Sequence, residues 1–387
     1  MKRFWSVLIL AFVAFSTSAQ GVELPGIVVN HSPVSKGKYL GSPSIYILPN
    51  GRYVASHDYF GPKTKEFDTA ITEIFVSDDK GLSWRNTTTL KGQFWSTLFC
   101  HKGDVYILGT CRHHGNIVIR KSSDNGESWT EPYNSENGLI AEGEYHTAPT
   151  PVIVHNGRIW KAFEYATHKV RRWGMRYSPR VLSAPANANL LDAKNWRLSN
   201  PIYSDSAWLG GEFIGWLEGN IVYDRANKQM LNIMRVNTRS GRGEELCARV
   251  EISTNGKKIS FNAEKGFMPF PGGAKKFTIR YDERTAKYWT LSNTTEPDKL
   301  VIKNDRTRNT LTLCSSEDLI NWKQERIIIA HPDIQYHGVQ YVDWQFEGED
   351  IVAVIRAAWE DGEGNTLNQH DSNYILFRRI EKYDENR

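Results

Sequence analysis

The chain has 387 residues and a net charge of +4, from 48 basic and 44 acidic side chains, an excess too mild and too scattered for nucleic-acid binding though compatible with an anionic partner. Four dispersed cysteines (Cys100, Cys111, Cys247, Cys314) with no Cys-x-x-Cys pair exclude a disulfide scaffold and a zinc knuckle. For Cys100 and Cys111, either side of one hairpin, a disulfide and two buried thiols both stay open.

In chain order, the first element is "MKRFWSVLILAFVAFSTSAQ": two basic residues, a short apolar run, then small residues. It reads as a secretory signal peptide over 1–20, so the mature chain is expected to be secreted or periplasmic. No later stretch is long and apolar enough to span a bilayer. Residues 21–387 are then expected to form a single domain.

That domain is built of repeats. Six segments read as an apolar strand, a polar turn and a second strand: "SPSIYILPNGRYVASHD", "WSTLFCHKGDVYILGT", "TAPTPVIVHNGRIWKAFEY", "WLEGNIVYDRANKQMLNIMRV", "KFTIRYDERTAKYWTLSN" and "GVQYVDWQFEGEDIVAVIRA". A further strand and a second turn follow each hairpin. The second turn is clearest in "SDDKGLSW" (Ser77 to Trp84) and "SSDNGESW" (Ser122 to Trp129), with degenerate copies in "APANANLLDAKNW", "STNGKKISF" and "SSEDLINW". Four-stranded units in series predict an all-β fold, a β-propeller of six blades. The last unit lacks one strand, which "GIVVNH" near the N-terminus would supply, closing the ring. A β-sandwich would not need such regular spacing.

In the repeated turn, Asp accepts hydrogen bonds from turn amides, Gly permits positive φ, and Trp packs between sheets. The turn resembles the Asp box of sialidase-like propellers, where it lies at the blade periphery. True sialidases carry an Arg-Ile-Pro segment at the first inner strand. Here that place reads "GSPSIYILPNG", so the arginine triad and Tyr/Glu nucleophile of that family are not assigned.

Propeller sites open at one mouth of the channel, where first strands start and second strands end. Those positions hold His57-Asp58, His113-His114, Glu164-Tyr165, Asn293 and Arg356, with Gln93, Tyr145-His146, Glu212, Trp216 to Glu218, Lys275-Lys276 and His337. From them His57, His146, Glu218, Lys276, His337 and Arg356 are taken as substrate-binding candidates. Adjacent strand residues face opposite ways, so only one of each neighbouring pair can face the channel. His101 and His155 fall in hairpin turns and are expected in solvent. No metal-ligand spacing stands out; the oxygens of "NQHDSN" (Asn368 to Asn373) suit either a structural divalent cation or an ordinary loop. No cofactor-binding motif is present.

Longer phrases, among them "KGQFWSTLF", "YHTAPTPVIVHNGRIW", "FPGGAKKFTIRY" and "HGVQYVDWQF", resemble secreted bacterial propellers close to the ulvan lyases of polysaccharide lyase families 24 and 25. They are also similar to the α-L-rhamnosidases of glycoside hydrolase family 145. The resemblance implies action on rhamnose linked to a uronate, in a monomer binding an anionic glycan, and allows seven blades as well as six. By approximate spacing it implies His114, Tyr165 and Arg180 as catalytic residues and Tyr223 as a substrate contact. In β-elimination a cation neutralises the uronate, neutral His114 removes the C5 proton, and Tyr165 protonates the leaving oxygen. The alternatives are a rhamnosidase-type hydrolase and a non-catalytic glycan-binding propeller.

Overall fold

The computed structural model describes residues 23–62, 68–166, 172–296 and 302–385; the expected signal peptide lies outside them. The fold is all-β, with short 3-10 turns as its only helices among the described residues, and its sheets are arranged as in a propeller. None of those helices is long and apolar enough to cross a membrane.

The hairpins read from sequence form antiparallel pairs: Ser44–Ile47 with Tyr53–Phe60, Phe94–His101 with Asp104–Thr110, Ile153–His155 with Arg158–Ala166, Phe213–Asp224 with Gln229–Thr238, Thr278–Asp282 with Lys287–Ser292, and Gly338–Glu347 with Asp350–Ala358. Hydrogen bonding groups the strands into five sheets. One has eight strands, because the second and third units are joined by the pairs Tyr145↔Tyr165 and His146↔Glu164. Ile27–His31 pairs antiparallel with Tyr374–Ile380 in the last sheet.

Apolar side chains fill the spaces between successive sheets. Val54 and Val76 pack with Leu98 and Ile107, Trp160 with Trp216 and Val250, and Val352 and Phe377 of the last sheet with Ile45 and Tyr53 of the first. All four cysteines are free thiols.

The repeated turns are superimposable in their bonding. Asp79 accepts from Ser77 Oγ (2.8 Å) and the Ser83 amide (2.9 Å), while the Gly81 amide donates to Ser77 Oγ (2.8 Å). Asp124 accepts from Ser122 Oγ (2.7 Å) and the Ser128 amide (2.9 Å), with the Gly126 amide on Ser122 Oγ (2.9 Å). Gly81 has φ +90°, and a Cβ there would sit 2.2 Å from the Phe377 ring. The Ser83 hydroxyl and amide hold the Asp79 carboxyl down at about 2. In the third such turn Asp318 accepts from the amides of Ile320 and Asn321. Each turn joins a third strand to the outermost one, so it shapes the rim.

The innermost strands are latched to one another by side chains. Asn220 donates to Phe277 O and accepts from the Ile279 amide; Asp343 accepts from Ser44 Oγ and the Ile45 amide; Thr97 Oγ1 donates to Thr150 O. Buried Lys161 donates to Ala148 O (2.7 Å), and buried Lys276 to Val342 O (2.6 Å). Burial pushes these ammonium groups down to about 7 and about 8.

Candidate active site

Three innermost strands break their ladder in the same way. Register shifts fall between Phe94 and Thr97, between Leu217 and Asn220, and between Gln340 and Asp343. At each bulge a non-glycine residue takes left-handed backbone: Trp95 (φ 50°), Glu218 (φ 60°) and Tyr341 (φ 53°). Such a conformation costs about 1–3 kcal/mol and persists where surrounding structure enforces it, typically at functional sites. All three side chains line one cavity of about 430 Å³. Phe60, Asp68, His113, His146, Trp173, Arg356 and His370 share its wall.

Tyr341 Oη donates to Glu218 Oε1 at 2.7 Å, and Arg235 Nη1 donates to Glu218 Oε2 at 2.9 Å. All three residues are buried. Burial pushes the Glu218 carboxyl up, but the charge of Arg235, then that of His146, and the hydrogen bonds from Arg235 and Tyr341 together hold it below its ordinary value. Burial and the Glu218 charge raise the Tyr341 phenol, against the pull of Arg235, Arg308 and Arg356. The Arg356 guanidinium lies 4.8 Å from the Tyr341 ring centre and 4.3 Å from that of Phe60; Arg308 lies 5.8 Å from Tyr341. Burial lowers Arg308 and Arg356 to about 10, so both stay charged at neutral pH. Three guanidinium groups around one carboxylate leave this wall positive.

Two imidazoles, His113 and His146, also line the cavity. His146 Nδ1 meets Glu164 Oε2 at 2.9 Å, and the second Glu164 oxygen accepts from the Gly219 amide at 3.3 Å. His113 packs edge-on to Trp95, with ring centres 5.3 Å apart. Burial, His146 and Arg176 push it down to about 3, so it is neutral. Trp173, half exposed, stands over Arg235 at 5.5 Å. The turn that carries it is seated by glycines: a Cβ on Gly215 would lie 2.3 Å from Gly174 Cα.

Of the residues singled out in the sequence, His146, Glu218 and Arg356 line the cavity. His114, Tyr165 and Arg180 are not among the residues that line it. His114 sits one residue behind the lining His113 and bonds the Tyr177 hydroxyl at 2.9 Å. Glu164 takes the inward direction, so Tyr165 faces away, edge-on to Tyr145 and 5.9 Å from Arg180. His57 is buried behind the wall, bonded to Asn30 Nδ2 at 2.8 Å. Tyr223 stacks on His155 at 3.9 Å near the far end of its strand, so His155 is only partly in solvent. Lys276 is spent on Val342 O and Thr278 Oγ1, and His337 lies between Asp333 and Glu360. The Asn368 to Asn373 loop is bonded internally, Asn368 Oδ1 accepting from the His370 and Asp371 amides, and it brings His370 to the cavity.

Sequence reasoning did not bring out Tyr341, Arg235 or Arg308; it left a Tyr/Glu nucleophile unassigned, and the structure places Tyr341 Oη 2.7 Å from Glu218 Oε1. The first inner strand does lack arginine, but Arg356 of the last unit contributes a guanidinium to the cavity instead. The signal available was a basic residue inside the apolar run "LNIMRVNT".

No family model matches the chain, and no curated protein matches it in sequence. Solved structures do. A Hadza microbial sialidase aligns with a TM-score of 0.62 at 11% identity over 92% of this chain and 68% of that one. The α-L-arabinanase of Penicillium chrysogenum, complexed with arabinobiose, aligns with 0.59 at 13% identity over 94% and 99%. The Trypanosoma rangeli sialidase in complex with sialic acid aligns with 0.56 at 15% identity over 88% of this chain and 54% of its own. The fold is that of the sialidase-like propellers. At these identities the likeness carries the fold alone; the chemistry must come from the cavity.

Proposed function

We propose that the protein is a retaining glycoside hydrolase acting on a carboxylate-bearing sugar. The observation that carries this reading is the hydrogen bond from Tyr341 to ionised Glu218 beside Arg356. Glycosidases with a tyrosine nucleophile are a recognised exception to the two-carboxylate rule. A neutral phenol nucleophile avoids repulsion from an anionic sugar, and Glu218 serves as its base. In the first step Tyr341 Oη gives its proton to Glu218 and bonds the anomeric carbon while the glycosidic C–O bond breaks. Asp68, the other carboxylate among the described lining residues, protonates the leaving oxygen. In the second step water, deprotonated by Asp68, attacks the anomeric carbon, and Tyr341 leaves with the proton held by Glu218. Arg356 takes the substrate carboxylate, and Trp173 offers a face for the sugar ring.

A second reading keeps the lyase and its rhamnose–uronate substrate. It is favoured by neutral His113 on the cavity wall, a base for the C5 proton, with Arg356 neutralising the uronate. Both readings have an exported monomer without a cofactor. We also read the five sheets as six blades, the eight-stranded one counting as two and Ile27–His31 completing the last; the apolar contact between last and first sheets supports this.

The test is an activated fluorosugar bearing a carboxylate, followed by mass spectrometry of the peptide containing Tyr341. A covalent adduct on Tyr341, absent in Tyr341→Phe, is expected. Ultraviolet absorbance from a new C4–C5 double bond, without an adduct, would replace the hydrolase by the lyase. Binding without turnover of either kind would leave a glycan-binding propeller.

A further inference from the structure

The bulges that carry Glu218 and Tyr341 are held by the same device. At each, a register shift leaves the residue after the left-handed one without a ladder partner: Gly219 after Glu218, and Val342 after Tyr341. A buried carbonyl there must find its donor elsewhere. Val342 O accepts from Thr278 Oγ1 at 2.9 Å and from Lys276 Nζ at 2.6 Å, and Lys276 also donates to that hydroxyl at 2.6 Å. Gly219 O accepts from Thr150 Oγ1 at 2.7 Å, and Lys161 Nζ donates to that hydroxyl at 2.7 Å.

We propose that these two pairs are positioning residues, Lys276 with Thr278 aiming Tyr341 and Lys161 with Thr150 aiming Glu218. The proposal rests on Tyr341 and Glu218 being the reacting pair. All four side chains are buried, and each lysine spends its ammonium on carbonyl and hydroxyl oxygens rather than on a carboxylate. A hydroxyl alone could satisfy either carbonyl. The ammonium adds direction: by donating to Oγ1 it turns the threonine proton away from itself and onto the bulge. Lys161 also occupies Ala148 O at 2.7 Å, the other acceptor near Thr150 Oγ1, at 3.5 Å.

The bulge at Trp95, which takes no step in the proposed reaction, is held otherwise: its amide donates to Asp58 Oδ2 at 2.9 Å. Tyr341 and Glu218 lie on separate strands, so their 2.7 Å contact needs both bulges held at once. A displacement of about 1 Å in such a contact can cost about 10²-fold in rate.

The test compares Thr278→Val, Lys276→Met and the control Thr278→Ser by crystallography and by the rate at which the carboxylate-bearing fluorosugar labels Tyr341. In the first two, Tyr341 should leave its left-handed backbone or lose its contact with Glu218. Labelling should slow by about 10–100-fold with fluorosugar affinity little changed. Thr278→Ser, which keeps the hydroxyl, should restore both. Thr150→Val should displace Glu218 in the same way. Wild-type protein that is never labelled would sink the hydrolase reading, and the crystal structures would then judge the clamps alone. Retention of the Tyr341 backbone and of the contact in both Thr278→Val and Lys276→Met overturns the proposal. A lowered melting temperature with contact and labelling rate intact also overturns it, leaving the pairs a purely structural role.

Discussion

Tyr341 Oη lies 2.7 Å from Glu218 Oε1, and both residues hold left-handed backbone at bulges in different inner strands. Either bulge alone would be a local irregularity. Together they aim a phenol and a carboxylate at one point, and Trp95 repeats the device across the cavity. The strain is offset by the latches that follow each bulge: Asn220 and Asp343 tie their strands to the neighbouring sheets, and Thr97 does so for the strand of Trp95.

If the phenol is the nucleophile, removing its oxygen should remove the chemistry and little else. Tyr341→Phe is expected to lower kcat by about 10³-fold or more. Binding of a carboxylate sugar should change little, because Arg356 is untouched. Substrate release under single-turnover conditions checks the first point and calorimetry the second. A variant retaining near-normal kcat would exclude Tyr341 from the reaction.

Glu218 and Arg235 are each buried and paired with one another. Removing one partner leaves an uncompensated buried charge, which costs about 3–5 kcal/mol. Arg235→Met alone should therefore destabilise strongly, and so should Glu218→Gln. The double variant should lose less than the sum, with a coupling of about 0.5–3 kcal/mol in urea unfolding. Additive losses would mean that the pair is not coupled in solution.

Asp68 is argued to protonate the leaving oxygen, a role whose weight depends on how basic that oxygen is. Asp68→Asn should reduce turnover of an alkyl glycoside by about 10²–10⁴-fold. A nitrophenyl glycoside, whose leaving oxygen needs no proton, should be affected far less at the glycosylation step. Equal losses on both substrates would assign Asp68 to binding instead.

How much of this was legible in the sequence follows from what period and spacing can carry. The Ser-x-Asp-x-Gly-x-Ser-Trp turn encodes its own bonding, and both full copies adopt it with matching hydrogen bonds. The rule that first strands start and second strands end at one mouth led to His146, Glu218 and Arg356, which line one cavity. It could not find Tyr341, because "HGVQYVDWQF" alternates as an ordinary strand and the bulge that turns its Tyr inward leaves no local signal. Spacing drawn from relatives led to Tyr165, which does not line this cavity; its neighbour Glu164 is the one paired with His146. A one-residue offset on a strand reverses the face.

Burial also predicts an acid response. His57 is neutral in the fold, with its protonation pushed down to about 4 by burial, against about 6.5 in an unfolded chain. Between these values the unfolded chain takes up a proton that the folded one refuses. Stability is therefore complete above pH 6.5, falls as the pH drops to 4, and is flat below. For His57 alone the loss between pH 6.5 and 5 is about 2 kcal/mol. His113, lowered to about 3, acts in the same direction over a wider range. Asp58 opposes them: burial raises its carboxyl to about 7, so its penalty grows as pH rises from about 3.9 to 7. The histidines outnumber it, so wild-type stability should decline below pH 6.5. In urea unfolding at pH 6.5 and 5, His57→Gln should show a smaller drop than wild type, and Asp58→Asn a larger one. If His57→Gln leaves the drop unchanged, His57 is not held neutral in the folded protein.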